Sequence, residues 1–182
     1  MRARITRDDA AGKVRIRPMT SADAKEVQYL ILTVFDEFVA PGYSRQASKT
    51  FRRQTRRQLR RTELRDGETR LVAVTRGDLI GVIGLRDISH IHWLWVRKDW
   101  HHKGIARNLI HQAVDIVRDQ EPRAKRITLN SSPYAIPFYL RLGFHVSGGE
   151  FDQKGIICTP MVLELEEKIV AAGGDRGQAC VN

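Results

Sequence analysis

Residues 90–110, HIHWLWVRKDWHHKGIARNLI, decide how this chain is read. His90 to Val96 is dominated by aromatic and β-branched residues and reads as a strand. Period-2 alternation puts His90, His92, Leu94 and Val96 on one face and Ile91, Trp93 and Trp95 on the other. Ile105, Ala106, Leu109, Ile110, Ala113, Val114 and Val117 then recur at helical spacing as a broad apolar stripe. Between strand and helix lies a basic turn holding Lys98, His101, His102, Lys103 and Gly104, with Arg107 one turn into the helix. The N-terminus of a helix already carries about half a positive charge in its unpaired N–H groups. Loading it with cations costs stability unless an anion sits there, and that anion is most simply a phosphate.

The bounds around this stretch are those of one domain. A chain of 182 residues that is 42% apolar has room for one sizeable core. No run approaches the ~20 apolar residues of a membrane span. The stretch MRARITRDDAAGK carries charges but no apolar core and does not read as a signal peptide, so a cytoplasmic protein with no membrane partner is expected. Cys158 and Cys180 make no metal or disulfide pattern. The formal charge of +10 favours anionic ligands without choosing among coenzyme, nucleic acid and acidic surface.

Residues 1–12 read as a disordered N-terminal tail, 13–166 as the folded domain and 167–182 as a disordered C-terminal tail. Val14 to Arg17 alternates as a first strand. Thr20-Ser21-Ala22-Asp23 caps a helix with apolar positions Val27, Leu30, Ile31, Val34, Phe35 and Phe38, stopped by Pro41-Gly42. Gln46 to Arg65 is a second helical stretch whose arginines, from Arg45 to Arg65, face few apolar residues, chiefly Phe51, Leu59 and Leu64. It is either a solvated, weakly docked helix or a lid or rim that meets an anionic partner. Thr69–Thr75 and Leu79–Leu85 are strands joined by a tight turn at Arg76-Gly77-Asp78, and Gly81 and Gly84 hint at a bulge or close packing. After the central strand and helix come a strand at Arg126–Ser131, a short helix over Pro133–Leu142 capped by Gly143, and strands near Phe144–Val146 and Ile157–Leu165.

The run His101-x-x-Gly104-x-Ala106 resembles the Q/R-x-x-G-x-G/A signature of the GCN5-related N-acetyltransferases. His101 departs from the usual Gln or Arg. A second resemblance lies downstream: Asn130 ends a strand, and Phe138-Tyr139 precedes Gly143-Phe144 at the spacing of that family's A-x-x-F-Y-x-x-x-G-F segment. The resemblance covers about residues 14–165. It implies an α/β (α+β) fold: a mixed, mostly antiparallel twisted sheet of about seven strands, flanked by helices and splayed at its centre. It also implies an acetyl-CoA site. Leu94, Trp95 and Val96 would contribute backbone N–H groups to the pantetheine arm and the oxyanion, His101, His102, Lys103, Gly104, Ile105, Ala106 and Arg107 the pyrophosphate cradle, and Asn130 a pantetheine contact, with Tyr139 beside the sulfur.

Acetyl transfer to an amine needs a neutral amine, a donor for the oxyanion and a proton for the departing thiolate. Tyr139 is the expected acid. His90 and His92, in a His-x-His pattern similar to that of serotonin N-acetyltransferase, are the expected bases, either one able to serve; each could equally be a structural strand histidine. No third ligand suggests a metal. The expected activity is direct acetyl-CoA-dependent N-acetylation of a small amine or amino-acid derivative. Protein lysine, aminoacyl-tRNA, and a non-catalytic CoA-sensing or nucleic-acid-binding module stay open, as does a homodimer. Tyr29, Phe35, Phe38 and Tyr43 are expected to wall the acceptor site, and Cys158 to be core rather than nucleophile.

Overall fold

A computed structural model describes residues 13–61, 64–153 and 155–165; the tails expected at either end, with Cys180, lie outside them. The elements are β1 (Arg15–Pro18), α1 (Ala24–Val34), α2 (Arg45–Leu59), β2 (Thr69–Thr75), β3 (Asp78–Arg86), β4 (His90–Val96), α3 (Ile105–Gln120), β5 (Arg126–Ser131), α4 (Ile136–Arg141), β6 (His145–Val146), β7 (Phe151–Asp152) and β8 (Ile157–Glu164). The strands run in the order β1-β2-β3-β4-β5-β8-β6, and β7 adds a second short pairing to β8. This last strand, absent from the sequence reading, raises the number among the described residues to eight.

All neighbours are antiparallel except β4 and β5, which pair in parallel only at His90–Thr128 and Ile91–Leu129. Beyond Ile91 the two strands part, and the gap between them opens the sheet at its centre. Helices cover both faces. On one, Ile105, Leu109, Ala113 and Val117 of α3 pack on Leu71, Ile83, Leu85, Ile91 and Val96; on the other, Val27, Leu30 and Ile31 of α1 with Leu59 of α2 pack on Val72, Val82 and Trp93. Two layers of helix on a half-open sheet leave the gap as a concavity between them.

Local chemistry fixes the joints. The hairpin β2–β3 closes through Arg76 at φ 49° and Gly77 at φ 85°, the pair of left-handed residues that a two-residue turn between right-twisted strands demands. Asp23 accepts from the Thr20 N–H at 2.7 Å and the Thr20 hydroxyl at 2.8 Å, and both its oxygens accept from Arg17 at 2.7 Å, which ties β1 to the start of α1.

Three expectations need correction. The first helix does not run unbroken to Phe38: it ends at Val34, passes through a π-helical turn over Phe35–Val39 and closes in a 3₁₀ turn over Ala40–Gly42. The extra residue per turn brings Phe35 onto Phe51 with centroids 3.9 Å apart. The second helix ends at Leu59 rather than Arg65 and is not weakly docked, since Ala47, Ser48, Thr55 and Leu59 are buried. The third correction lies in β4. Register with β3 passes from Gly84–Trp93 to Leu85–Ile91, so His92 is an extra residue in a β-bulge. The bulge reverses the alternation: Ile91 joins Leu94 and Val96 on the α3 side, whereas Trp93 and Trp95 face α1 and α2. His92 leans over Gly84 together with Trp93 and so also faces α1 and α2. His90 still shares a face with His92, but not with Leu94 and Val96.

Candidate active site

The gap between β4 and β5 continues into a cleft of about 1180 Å³ that runs from the start of α3 to the C-terminal part of α2. His90, His92, Leu94, Trp95, Val96, His101, His102, Gly104, Ala106, Arg107, Asn130 and Tyr139 all line it, together with the backbone of the otherwise buried Ile105. Lys103 stands outside, its ammonium 4.8 Å from the Trp100 ring centroid.

Backbone geometry decides which strand amides are free. The Arg97 N–H donates to the Ile80 carbonyl at 2.9 Å, which makes Ile80–Arg97 a hydrogen-bonded pair. Continuing the register, Val82–Trp95 is the next such pair, while Gly81–Val96 and Ile83–Leu94 are not. The Trp95 amide is therefore turned to β3, a correction to its expected role, and the amides of Leu94 and Val96 point into the gap. His101 closes the end of the strand: its ring N–H donates to the Val96 carbonyl at 2.9 Å. That bond takes up the side chain standing where the family's Gln or Arg would be.

The turn into α3 is shaped for an anion. His102 at φ 60° and Gly104 at φ 77° are both left-handed, and a Cβ on Gly104 would meet nothing within 4 Å. The glycine is thus demanded by the backbone conformation, and the space its side chain would fill stays open to a ligand. Asn108 N–H is the first of the following helix to bond back, to the Gly104 carbonyl at 3.0 Å, so the amides of Ile105, Ala106 and Arg107 begin the helix without intrahelical acceptors. Part of the turn's positive charge is already compensated. Lys98 pairs with Glu37, and Arg97 with Asp99 at 2.7 Å and more distantly with Asp78 at 3.8 Å. Among the described residues Arg107 and Arg141 have no carboxylate partner, and both line the cleft. A cradle of free amides, an open glycine position and two free strand amides fit a long phosphorylated thiol coenzyme.

On the other side of the gap stand the histidines. His90 Nδ1 and Thr128 Oγ1 share a hydrogen bond of 2.8 Å. Half-buried His92 has a covered Nδ1 without a partner and a ring 4.8 Å from that of Trp93. Burial pushes both imidazoles down to about 4, with Arg86 adding to the effect at each and Arg70 at His92. Both are neutral at physiological pH. Tyr139 is buried against Phe138 and Phe144, and desolvation holds its phenol above the ordinary tyrosine range, so it stays protonated.

Phe35 and Phe38 line the cleft as expected, with Phe38 5.2 Å from the His101 ring and 5.4 Å from that of Tyr134. Tyr29 does not, being 75% exposed, and Tyr43 is directed elsewhere, its hydroxyl donating to the Ile157 carbonyl at 2.9 Å. Cys158 is buried, and burial raises its thiol, which suits a core residue rather than a nucleophile. Among the described residues no group of three or more His, Cys, Asp or Glu side chains could hold a metal, and no helix is long and apolar enough to cross a membrane. The sequence reading gave no role to Thr128, Arg70 or Tyr134, whereas its hint of a bulge or close packing at Gly84 coincides with the register shift and the His92 ring found there. Arg70 had a signal: it is a cation at a period-2 position with Val72 and Val74 in an otherwise apolar strand.

Comparison with known proteins identifies the domain. The family model of the acetyltransferase (GNAT) domain matches residues 39–165. A GCN5-related N-acetyltransferase structure from Rhodopseudomonas palustris superposes with a TM-score of 0.71 at 18% identity, covering 91% of this chain and all of that one. The PaiA N-acetyltransferase of Thermoplasma acidophilum, solved in complex with coenzyme A, gives 0.69 at 18% identity over 84% of this chain and 99% of that one. A spermidine N-acetyltransferase chimera of Vibrio cholerae SpeG and hSSAT gives 0.57 at 19% identity over 83% and 95%. No curated protein matches the sequence. With a domain model spanning well over half its length, the chain belongs to the GNAT acetyltransferase family.

Proposed function

We propose that this protein transfers the acetyl group of acetyl-CoA directly to the nitrogen of a small primary amine or amino-acid derivative. The observation that carries the reading is the continuity of one cleft with free amides and an anion cradle at one end and two neutral imidazoles at the other. Acetyl-CoA supplies the activated acyl group. The amides from Ile105 to Arg107, the Gly104 turn and the Arg107 side chain would hold its phosphates, and the Leu94 and Val96 amides and Asn130 its arm.

The chain's own residues then divide the proton work. His90 or His92, neutral and facing the acceptor side, takes the proton that the amine loses as it becomes an amide. His90 is oriented by Thr128. An imidazole held near 4 is a weak base, so it acts on a nitrogen already made acidic by bond formation and does not deprotonate a free alkylammonium. Tyr139, protonated across the working range, hydrogen-bonds the departing sulfur and yields its proton only as charge builds there, since the desolvation that keeps it protonated also makes it a weaker acid.

Calorimetric titration of acetyl-CoA and CoA, followed by thiol-release assays against amines, tests the reading. Micromolar binding with amine-dependent thiol release supports it; absence of coenzyme binding overturns it.

A further inference from the structure

Arginines outnumber carboxylates in the part of the cleft beside His90 and His92. Arg57, Arg61, Arg65, Arg70 and Arg86 line it, and among the described residues Glu68 is the only carboxylate that lines the cleft at all. Glu68 is already engaged: both of its oxygens accept from Arg61 Nη2 at 2.9 Å, and one lies 3.5 Å from Arg70 Nη2. One carboxylate shared by two guanidinium groups leaves the surface with a surplus of positive charge.

Arg70 is the most telling of these side chains. Leu71 and Ala73 of β2 pack toward α3 and Val72 toward α1, so alternation sends Arg70 to the histidine face. The residue is 5% exposed, yet its Nε has no hydrogen-bond partner, and neither does the buried Nε of Arg61. Its guanidinium lies over the Trp93 ring at 5.1 Å. A buried guanidinium serving only the fold would be expected to saturate its donors, because an unmade hydrogen bond on a buried cation is expensive. Across the sheet Arg70 pairs with Gly84 and Gly84 with Trp93, and the His92 ring leans over that same glycine. Arg70 therefore stands one side-chain-less strand away from a candidate base. We infer that this half of the cleft is an oxyanion subsite, and that the acceptor is a small amine carrying a carboxylate or phosphate a few bonds from its nucleophilic nitrogen. Arg70 is the specificity-determining residue, with Arg61 and Arg86 beside it.

The chemistry follows from the fork geometry of arginine, which accepts a planar carboxylate or a phosphate edge through paired N–H donors. A polyamine, which brings further positive charge, would meet only Glu68 and lose that contact to the arginines already holding it. A bound oxyanion would also offset the field that Arg86 and Arg70 impose on His92, so the imidazole gains basicity when the right acceptor is in place.

This inference rests on the acetyl-transfer reading, and the test separates the two. Thiol release from acetyl-CoA is measured with the unmodified protein on matched amines: β-alanine and β-alaninamide, L-phenylalanine and L-phenylalaninamide, O-phosphoethanolamine and ethanolamine, and spermidine. Rates are expressed per neutral amine, since the amides have less basic nitrogens. In at least one pair the oxyanion-bearing member should show a kcat/KM about tenfold or more above its neutral partner, and the preferred pair tells carboxylate from phosphate. Arg70→Gln should bring the ratio of kcat/KM between the two members of that pair down to near one, whatever the change in the neutral partner's own rate. Arg86→Gln, at a more exposed side chain, should reduce that ratio too and covers the case in which the Arg70 variant fails to fold. Neutral amines or spermidine turned over as well as the anionic ones, or equal losses on both members of a pair in the variants, would overturn the subsite. Thiol release with none of the amines would overturn the small-amine reading itself.

Discussion

The imidazole of His92 lies over Gly84 so closely that a Cβ on the glycine would stand 2.9 Å from its Cε1 and 3.1 Å from its Nε2. The glycine is thus part of the site, since it makes the floor on which the bulged histidine rests. Gly84→Ala should push the ring off that floor. Overpacking of this kind costs about 1–3 kcal/mol of stability. Activity should fall more steeply than stability, because the displaced group faces the acceptor. Thermal unfolding and kcat measured on the same preparation check this, and an alanine variant with full kcat would show that His92 is not needed where it stands.

The depressed histidines give a pH signature. An ordinary imidazole titrates near 6.5, whereas burial, aided by Arg86, holds His90 and His92 at about 4. The kcat/KM profile should therefore show no limb from His90 or His92 near the ordinary imidazole value of about 6.5, its acidic side tracking the amine's own ionisation. For folding, the sign is set by the unfolded chain, which binds protons on these histidines at higher pH than the native protein does. Stability is present above about 6.5 and is lost as pH falls toward about 4. Replacing both histidines with glutamine should flatten that window in a series of denaturant titrations.

His90 owes its orientation to Thr128, 2.8 Å away across the one stretch where β4 and β5 still pair. Thr128→Val keeps the shape and removes the hydroxyl. If His90 is the working base, kcat should drop about tenfold with coenzyme affinity unchanged. An unchanged kcat would shift the role to His92.

What the sequence revealed and what it hid have physical causes. The strand–turn–helix of residues 90–110 was legible because aromatic alternation, a glycine and an apolar helical stripe agree across every local rule. The floor was legible only in part: Gly84 hinted at a bulge or close packing, but not which residue of the neighbouring strand would be the inserted one. The bulge at His92 moves Ile91 to the opposite face, and no period-2 count can register an inserted residue that the partner strand alone defines. The π-helical turn at Phe35–Val39 escaped as well: an extra residue per turn leaves no mark on the apolar spacing, and its stacking partner Phe51 lies on another helix. The arginines of α2 announced a positive surface but not its direction. Only the fold brings Arg57 and Arg61 beside Arg70 and Glu68.

At Gly104 a left-handed φ of 77° coincides with space that no protein atom occupies. Gly104→Ala should cost about 1–2 kcal/mol in backbone strain. A Gly104→Val side chain would further enter the proposed phosphate position. Calorimetry should then show coenzyme affinity weakened by about tenfold or more, with amine KM little changed. Undiminished affinity in the valine variant would place the phosphates elsewhere.

Tyr139 is the last group the mechanism needs and the easiest to isolate, because removal of one oxygen leaves its packing against Phe138 and Phe144 in place. With its phenol held above the ordinary tyrosine range, it is a protonated donor at any pH at which the protein would be assayed. Its loss should therefore appear as a uniform drop in kcat and not as a moved pH limb. A general acid in this position contributes about 10²–10⁴-fold, so Tyr139→Phe should lower kcat into that range while acetyl-CoA binds as before. An acceptor amine bound by Arg70 and its neighbours would be unaffected in KM, which distinguishes the sulfur side of the cleft from the acceptor side. If the phenylalanine variant turns over at the full rate, the thiolate leaves without help from this residue, and water in the gap between β4 and β5 becomes the proton source.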